Sequence, residues 1–428
     1  MSRMRIPLLM IALMAAVVTG CGNDNDPPDS DTGASGSLQW THVDGGNASA
    51  GINPSSGGDS PCLAEFSAKL YAAWTEADHI RVAVYNGNDA APGWAIVDGG
   101  ADGINKDPGQ TAGNAQLVAF NAKLYAAWSE AGSIRVAVYN GNDDAPVWTF
   151  VDGDGVVGIV NDPAATAEHP RFAVLGAKLY ATWQERGAST LAQIAVYNGD
   201  DSAPDWTFVD NGGIVSTDVS GNARPVLAAF SSKLYLAFEN NGIAVRVYGG
   251  DDAAPAWTSV TGTLPVLFRI NEQAYNPELA LHDGKLYLAW REVFDTPLYF
   301  TWQIRVAVYN GNDAAADWRF VDGFGIYGIN KNPRTAAQGH RLVVYRGYLH
   351  AVWTEELPDV MISQVRVAAY NGNDAVPAWT FKDKGEYGIN FDPAHYAGDP
   401  AVAVVNAKLY AAWRETYAGT QIRVAVGK

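Results

Sequence analysis

A six-residue phrase, Lys-Leu-Tyr-Ala-Ala-Trp or a close variant, returns seven times along the chain and restricts it to a repeat architecture. It stands at Lys69–Trp74, Lys123–Trp128, Lys178–Trp183, Lys233–Phe238, Lys285–Trp290, Tyr348–Trp353 and Lys408–Trp413. The closing aromatics are 54, 55, 55, 52, 63 and 60 residues apart. Ordinary packing would divide 428 residues into two or three domains, but a closed repeat array can use them as one unit. Hydrophobic residues make up 48% of the chain, enough for a large core.

Residues 116–153 show what one unit is. Gln116–Phe120 reads as a short apolar strand turned by Asn121-Ala122-Lys123. Leu124–Glu130 follows, then the tight turn Ala131-Gly132 and the β-branched strand Ser133–Asn140. A loop of turn formers, Gly141–Pro146, leads to a fourth strand at Trp148–Gly153. No apolar period of a helix occurs, so the folded region is expected to be all-β. A two-residue turn sets Glu130 opposite Ser133 and Trp128 opposite Arg135, with Tyr125, Ala127, Ile134, Val136 and Val138 on the other face. Both faces carry bulky groups, as a sheet packed between two neighbours requires. A four-stranded unit of this kind, repeated radially, is a propeller blade.

The two ends of the folded region fit together. The last unit stops after its third strand, Gln421–Val426, while an orphan copy of the fourth-strand signature stands first, at Trp40-Thr41-His42-Val43-Asp44. The signature Trp recurs at positions 40, 94, 148, 206, 257, 318 and 379. This split resembles the closure of seven-bladed WD-repeat propellers. It implies a seven-bladed β-propeller over residues 38–428 whose N-terminal strand completes the C-terminal blade; an open solenoid is the alternative, and the split repeat counts against it. The units lack the Gly-His/Trp-Asp pair and the kelch double glycine. They also resemble the Tyr-Asn-Gly-Asn-Asp repeats of some bacterial surface proteins, a likeness that brings no activity with it.

The first residues read as a processing signal. Arg3 and Arg5 precede an apolar run, Ile6–Val18, too short to span a bilayer. It ends in Val18-Thr19-Gly20-Cys21, which resembles the lipobox of bacterial lipoproteins. The resemblance implies a signal peptide over residues 1–20 and a diacylglycerol thioether, usually with an N-acyl chain, on Cys21; two or more chains anchor stably where one does not. Gly22, where an Asp commonly signals inner-membrane retention in that family, favours the outer membrane, on its periplasmic or external side. Residues 23–37 hold nothing able to pack, so 21–37 reads as the lipidated Cys with a flexible acidic tether. With Cys21 lipidated, Cys62 has no intramolecular disulfide partner, and the domain relies on its core.

The net charge is −17 and the pI about 4.7, a balance that excludes nucleic acid as a partner and disfavours docking on anionic lipid. Repetition then separates scaffold from function. The Glu ending strand two (Glu76, Glu130, Glu185, Glu292, Glu355, Glu415) and the Arg opening strand three (Arg81, Arg135, Arg246, Arg305, Arg366, Arg423) recur in nearly every unit and read as cross-strand pairs, with Arg over the Trp face. The Asn-Gly-Asn-Asp loops lack the spacing of a calcium loop and read as Asx turns.

Two features do not repeat. Just before each first strand stand Ser60, Asn114, His169, Arg224, Asn276, Gly339 and Asp399. If that strand is innermost, they ring the mouth of the channel, either as a ligand site or as solvated loop residues. The loop from strand two to three lengthens in units three, five, six and seven, and in unit five it carries Phe294, Tyr299, Phe300 and Trp302. Flat aromatics beside polar groups suit a sugar or a protein anchor, or else extend the hairpin and pack on each other. No nucleophile elbow, phosphate-cradling loop, His-rich ligand pattern or sialidase Ser-x-Asp box is present, so no cofactor or metal is called for. The expectation is a monomeric, lipid-anchored, non-catalytic binding propeller for a protein or glycan. The alternative is a hydrolase or lyase acting on polysaccharide through rim carboxylates, for example Glu168 with Asp399.

Overall fold

The structure, a computed structural model, describes residues 37–45, 51–153, 157–216, 221–262, 273–295, 300–323, 328–358, 362–417 and 419–428. Seven antiparallel sheets form a propeller, six with their four strands in chain order from the axis outward and the seventh with Trp40–His42 as its outer strand. The inner strands Asp59–Phe66, Ala112–Phe120, Thr166–Leu175, Val226–Phe230, Ala274–His282, Ala337–Tyr345 and Tyr396–Val405 touch one another in a closed ring. Blade three carries one further short strand, Ile214–Ser216, beside its third. Among the described residues there is no α-helix, only the 3-10 turns Asp313–Ala315 and Gly385–Tyr387.

Closure is as the split repeat implies. Trp40–His42 pairs with the last strand, Trp40 opposite Gly427, Thr41 opposite Val426 and His42 opposite Ala425. The same Trp explains why the signature recurs. Each outer-strand Trp donates its indole N–H to a carbonyl of the preceding blade, from Trp94 on Val43 to Trp379 on Val321, at 2.7–2.9 Å. Trp40 does so on Lys382, at 2.9 Å, across the seam between the chain's two ends.

The Tyr-Asn-Gly-Asn-Asp loops do form Asx turns: the Asn86 side chain accepts from the Asn88 N–H, and Asn88 from Ala90 and Ala91. Their final Asp does more. Asp143 accepts from Lys69 and Tyr71 of the preceding blade and from Tyr139 of its own. The same four-residue clamp recurs at Asp89, Asp201, Asp252, Asp313 and Asp374. The Lys and the first Tyr of the recurring phrase are therefore joints between blades.

The repeated Glu and Arg hold the blades, but seldom as the expected pair. Glu130 accepts from the Trp128 indole at 2.8 Å and from the loop N–H groups of Lys106 and Asp107. Glu185, Glu355 and Glu415 repeat this arrangement. The Arg instead meets the Asp that ends the outer-strand signature, as Arg81 meets Asp98 at 2.6 Å and Arg423 meets Asp44 at 3.4 Å. Arg305 also reaches the Glu of its neighbouring strand, Glu292, at 3.0 Å. The buried Glu is already engaged by three N–H donors, so Arg finds the nearer free carboxylate.

Candidate ligand-binding face

Six inner strands contain a bulge, at residues equivalent in every unit. In blade two the register runs Gly113 opposite Ser129 and then Gln116 opposite Ala127, so Asn114 and Ala115 together face Trp128. The same slip separates Asp59 from Cys62, Glu168 from Arg171, Tyr275 from Glu278, Gln338 from Arg341 and Gly398 from Ala401. The first residue of each bulge is one of the seven predicted rim residues. Ser60, Asn114, His169, Arg224, Asn276, Gly339 and Asp399 all have positive φ, between 38° and 64°. Bulges re-aim side chains, and here they turn one side chain per blade out of the strand alternation.

All seven rim residues are half-buried. Asn, Asp and Gly tolerate this left-handed conformation, but His169, Arg224 and Ser60 pay roughly 1 kcal/mol or more for it. A backbone preference does not select those three, which is the pattern expected when a side chain is kept for its chemistry.

Two residues beyond each rim residue the chain faces the axis. Cys62, Gln116, Arg171, Val226, Glu278, Arg341 and Ala401 line a channel void of about 70 Å³. A third divergent ring lies across the ladder, in the residue after each second-strand aromatic. It comprises Thr75, Ser129, Gln184, Glu239, Arg291, Thr354 and Arg414, opposite or beside the rim residues. This ring was readable in sequence as the one variable residue between a repeated Trp and a repeated Glu.

The three rings assemble two clusters. On blades seven and one, the Arg414 Nε lies 2.6 Å from the Asp399 carboxylate and 3.4 Å from that of Asp59, with its guanidinium over Tyr396. Burial pushes Asp399 up from the ordinary carboxylate range and Asp59 adds to this, while Arg414 opposes it. On blades three to five, Arg291 lies over the Trp302 ring at 4.4 Å and the Tyr275 ring at 5.0 Å. Arg224 sits 3.9 Å from Glu239, which also accepts the Asn276 N–H at 2.7 Å. Glu168 pairs with Arg186 at 3.5 Å. Burial, helped by Arg224, Arg171 and Arg186, takes the His169 imidazole down to about 3, so it is neutral at physiological pH.

Sequence reasoning therefore grouped these seven positions, which share one backbone conformation, and missed most of what surrounds them. Glu168 and Asp399, offered as an acid–base pair, belong to different clusters on blades three and seven, each occupied by its own Arg. The long loop of blade five extends the hairpin, with Val293 opposite Trp302, Phe294 opposite Thr301 and Asp295 opposite Phe300. Trp302 is half-buried beneath Arg291. Only the backbone of Phe294 and Phe300 is described, and Tyr299 and Cys21 lie outside the described residues.

No protein-family model matches the chain, and neither does any curated protein. Solved structures do. The polysaccharide lyase Uly1 is 10% identical with a TM-score of 0.52, over 92% of this chain and 97% of its own. An α-L-arabinanase from Penicillium chrysogenum, complexed with arabinobiose, is 12% identical with a TM-score of 0.48, over 91% and 98%. A protein of unknown function from Dyadobacter fermentans is 9% identical with a TM-score of 0.46, over 92% and 98%. The seven sheets themselves define the class as a seven-bladed β-propeller. At such identities the likenesses speak to fold alone.

Proposed function

We propose that this protein is an exported, lipid-anchored propeller that binds a glycan across the mouth of its channel without turning it over. The observation that carries this reading is the Arg291–Trp302–Tyr275 stack beside a rim that differs in every blade. A guanidinium laid on aromatic faces is a rigid, amphipathic platform suited to the apolar face and hydroxyls of a sugar. The divergent rim supplies donors and acceptors at fixed points around it. The lipobox at Cys21 would hold this face at the cell envelope, with Gly22 favouring the outer membrane.

One cluster speaks to the catalytic alternative. Asp59 and Asp399 are two carboxyls at the mouth, one with raised pKa, as an acid–base pair requires. Yet both contact the same Arg414 nitrogen, at 3.4 and 2.6 Å, so a fixed cation already engages the carboxylates that an acid–base pair must keep free for its substrate. Binding is therefore the better-supported reading.

A glycan array probed with the purified full chain tests it, followed by calorimetry and a search for cleaved product. W302A should weaken any bound glycan by about tenfold or more, with circular dichroism unchanged. Product formation abolished by D399N would replace binding with hydrolysis or elimination. Metabolic labelling with palmitate that survives in C21S would remove the anchor from the proposal.

A further inference from the structure

The chain carries a net charge of −17, yet two arginines line its channel void against a single carboxylate. Arg171 and Arg341 come from blades three and six and line the same void of about 70 Å³. Most other arginines of the repeat are matched to carboxylates, as Arg305 is to Asp322 at 2.6 Å, while Arg246 lies over the Phe238 ring. Among the described residues no salt bridge reaches Arg171 or Arg341; the Arg341 guanidinium donates to the His340 carbonyl at 2.9 Å. They stand close enough to repel, and Glu278 is the one carboxylate in the channel ring. Burial lowers the Arg171 guanidinium to about 10, which still leaves it charged at neutral pH. Two unpaired guanidinium groups in a confined space are costly unless an anion visits.

Resting on the glycan-binding reading, we infer that the ligand is an acidic sugar chain, whose carboxylate or sulfate group seats at the channel mouth between Arg171 and Arg341. The void suits this group by size: it holds a handful of waters or one such acid group, not a pyranose ring. The sugar ring therefore stays on the rim, on the side of Arg291 and Trp302, while its acid group enters. The charge around the mouth is also uneven. Asp399, on the blade next to that of Arg341 and within reach of its charge, and Asp59 on blade one repel an acid, so the ligand's acid group approaches from the side of blades three to five.

Calorimetry on the full chain tests this with three oligosaccharides of matched length: tetragalacturonate, a sulfated galactan tetrasaccharide and the uncharged galactan tetrasaccharide. One acidic sugar should bind at least about tenfold more tightly than the neutral one, with the preference shrinking at about 0.5 M salt. R171Q and R341Q should each remove that preference. E278Q should tighten acid binding, an outcome that misfolding does not produce. Equal affinities within about twofold for all three sugars, still weakened by W302A, would overturn the acid inference and leave the glycan reading standing. If no sugar binds while inorganic sulfate raises the melting temperature of the wild type but not of R341Q, the glycan reading fails. The inference of an acidic sugar then fails with it, and the anion comes from another class of ligand.

Discussion

Removing the Trp40 side chain should open the ring at one place. Trp40 is 4% exposed, packs against the blade-six and blade-seven core, and donates to the Lys382 carbonyl. Truncating a buried Trp to Ala costs about 3–5 kcal/mol. That loss falls on a strand of three residues, Trp40–His42, so it is taken mainly from the docking of the N-terminal segment. At about 1.4 kcal/mol per factor of ten, the open population should rise roughly 10²- to 10³-fold. Amide hydrogen exchange of W40A should then accelerate at Val426 and Lys428, whose N–H groups face that segment in the antiparallel register, well before the rest of the molecule. The control is W318A. Trp318 is 2% exposed and donates to Val260 at 2.9 Å, the same chemistry in mid-chain, where both flanks continue into neighbouring strands. W318A should lose similar global stability without a selective rise at Val426 and Lys428. If exchange there rose equally in both variants, the seam would be no weaker than any other joint and the reasoning would fail.

Three further outcomes follow from the joints and the rim. Burial pushes Asp143 up, but hydrogen bonds from Lys69, Tyr71 and Tyr139 outweigh it and hold the carboxyl low. Its stabilisation is thus present above about pH 4 and lost as pH falls through the folded pKa; D143N should cost about 1–2 kcal/mol at pH 7 and flatten the acid limb of a urea-unfolding series. Burial lowers His350 from 6.5 to about 4 in the folded state, so its contribution is complete above the unfolded value and lost as pH falls from 6.5 toward 4. H350Q should reduce proton uptake on unfolding at about pH 5 by about one, a slope change near 1.4 kcal/mol per pH unit in calorimetric stability. Asn114 has φ of 59°, so N114V should lower stability by roughly 1–2 kcal/mol in denaturant unfolding while N114G changes it little.

The blade pattern and the closure were legible because each is written in residue types. Alternation over four short segments demands a sheet buried on both faces, and an orphan Trp-Thr-His-Val-Asp has one vacancy to fill. The bulges were not legible in the same way, because two residues facing one is a fact of register rather than composition. A trace of them existed: Pro61, Pro170, Pro277 and Pro400 each follow a rim residue inside an inner strand, Pro225 stands just before one, and proline within a strand marks an interrupted ladder. The partners of Arg291 and Arg414 had a comparable trace in the variable residue after each second-strand aromatic.

The Asp clamps show why local reading stops short. Asx-turn chemistry accounts fully for the Asn residues of each loop, so nothing local asks what the final Asp does. Its partners lie one blade back, Lys69 being 74 residues from Asp143. Yet the chain does record the pairing, in its exception. Blade seven has no Asn-Gly-Asn-Asp loop, because its outer strand comes from the other end of the chain. The preceding blade is the one unit in which Lys and Tyr of the recurring phrase are replaced, by Tyr348 and His350. There the His350 ring packs edge-on to Tyr345 and its Nδ1 lies 2.9 Å from the Tyr348 carbonyl. A Lys kept at that position would have met no Asp. The substitution and the missing loop are two halves of one physical requirement: where no loop Asp arrives from the next blade, the Lys and Tyr that would meet it are not kept.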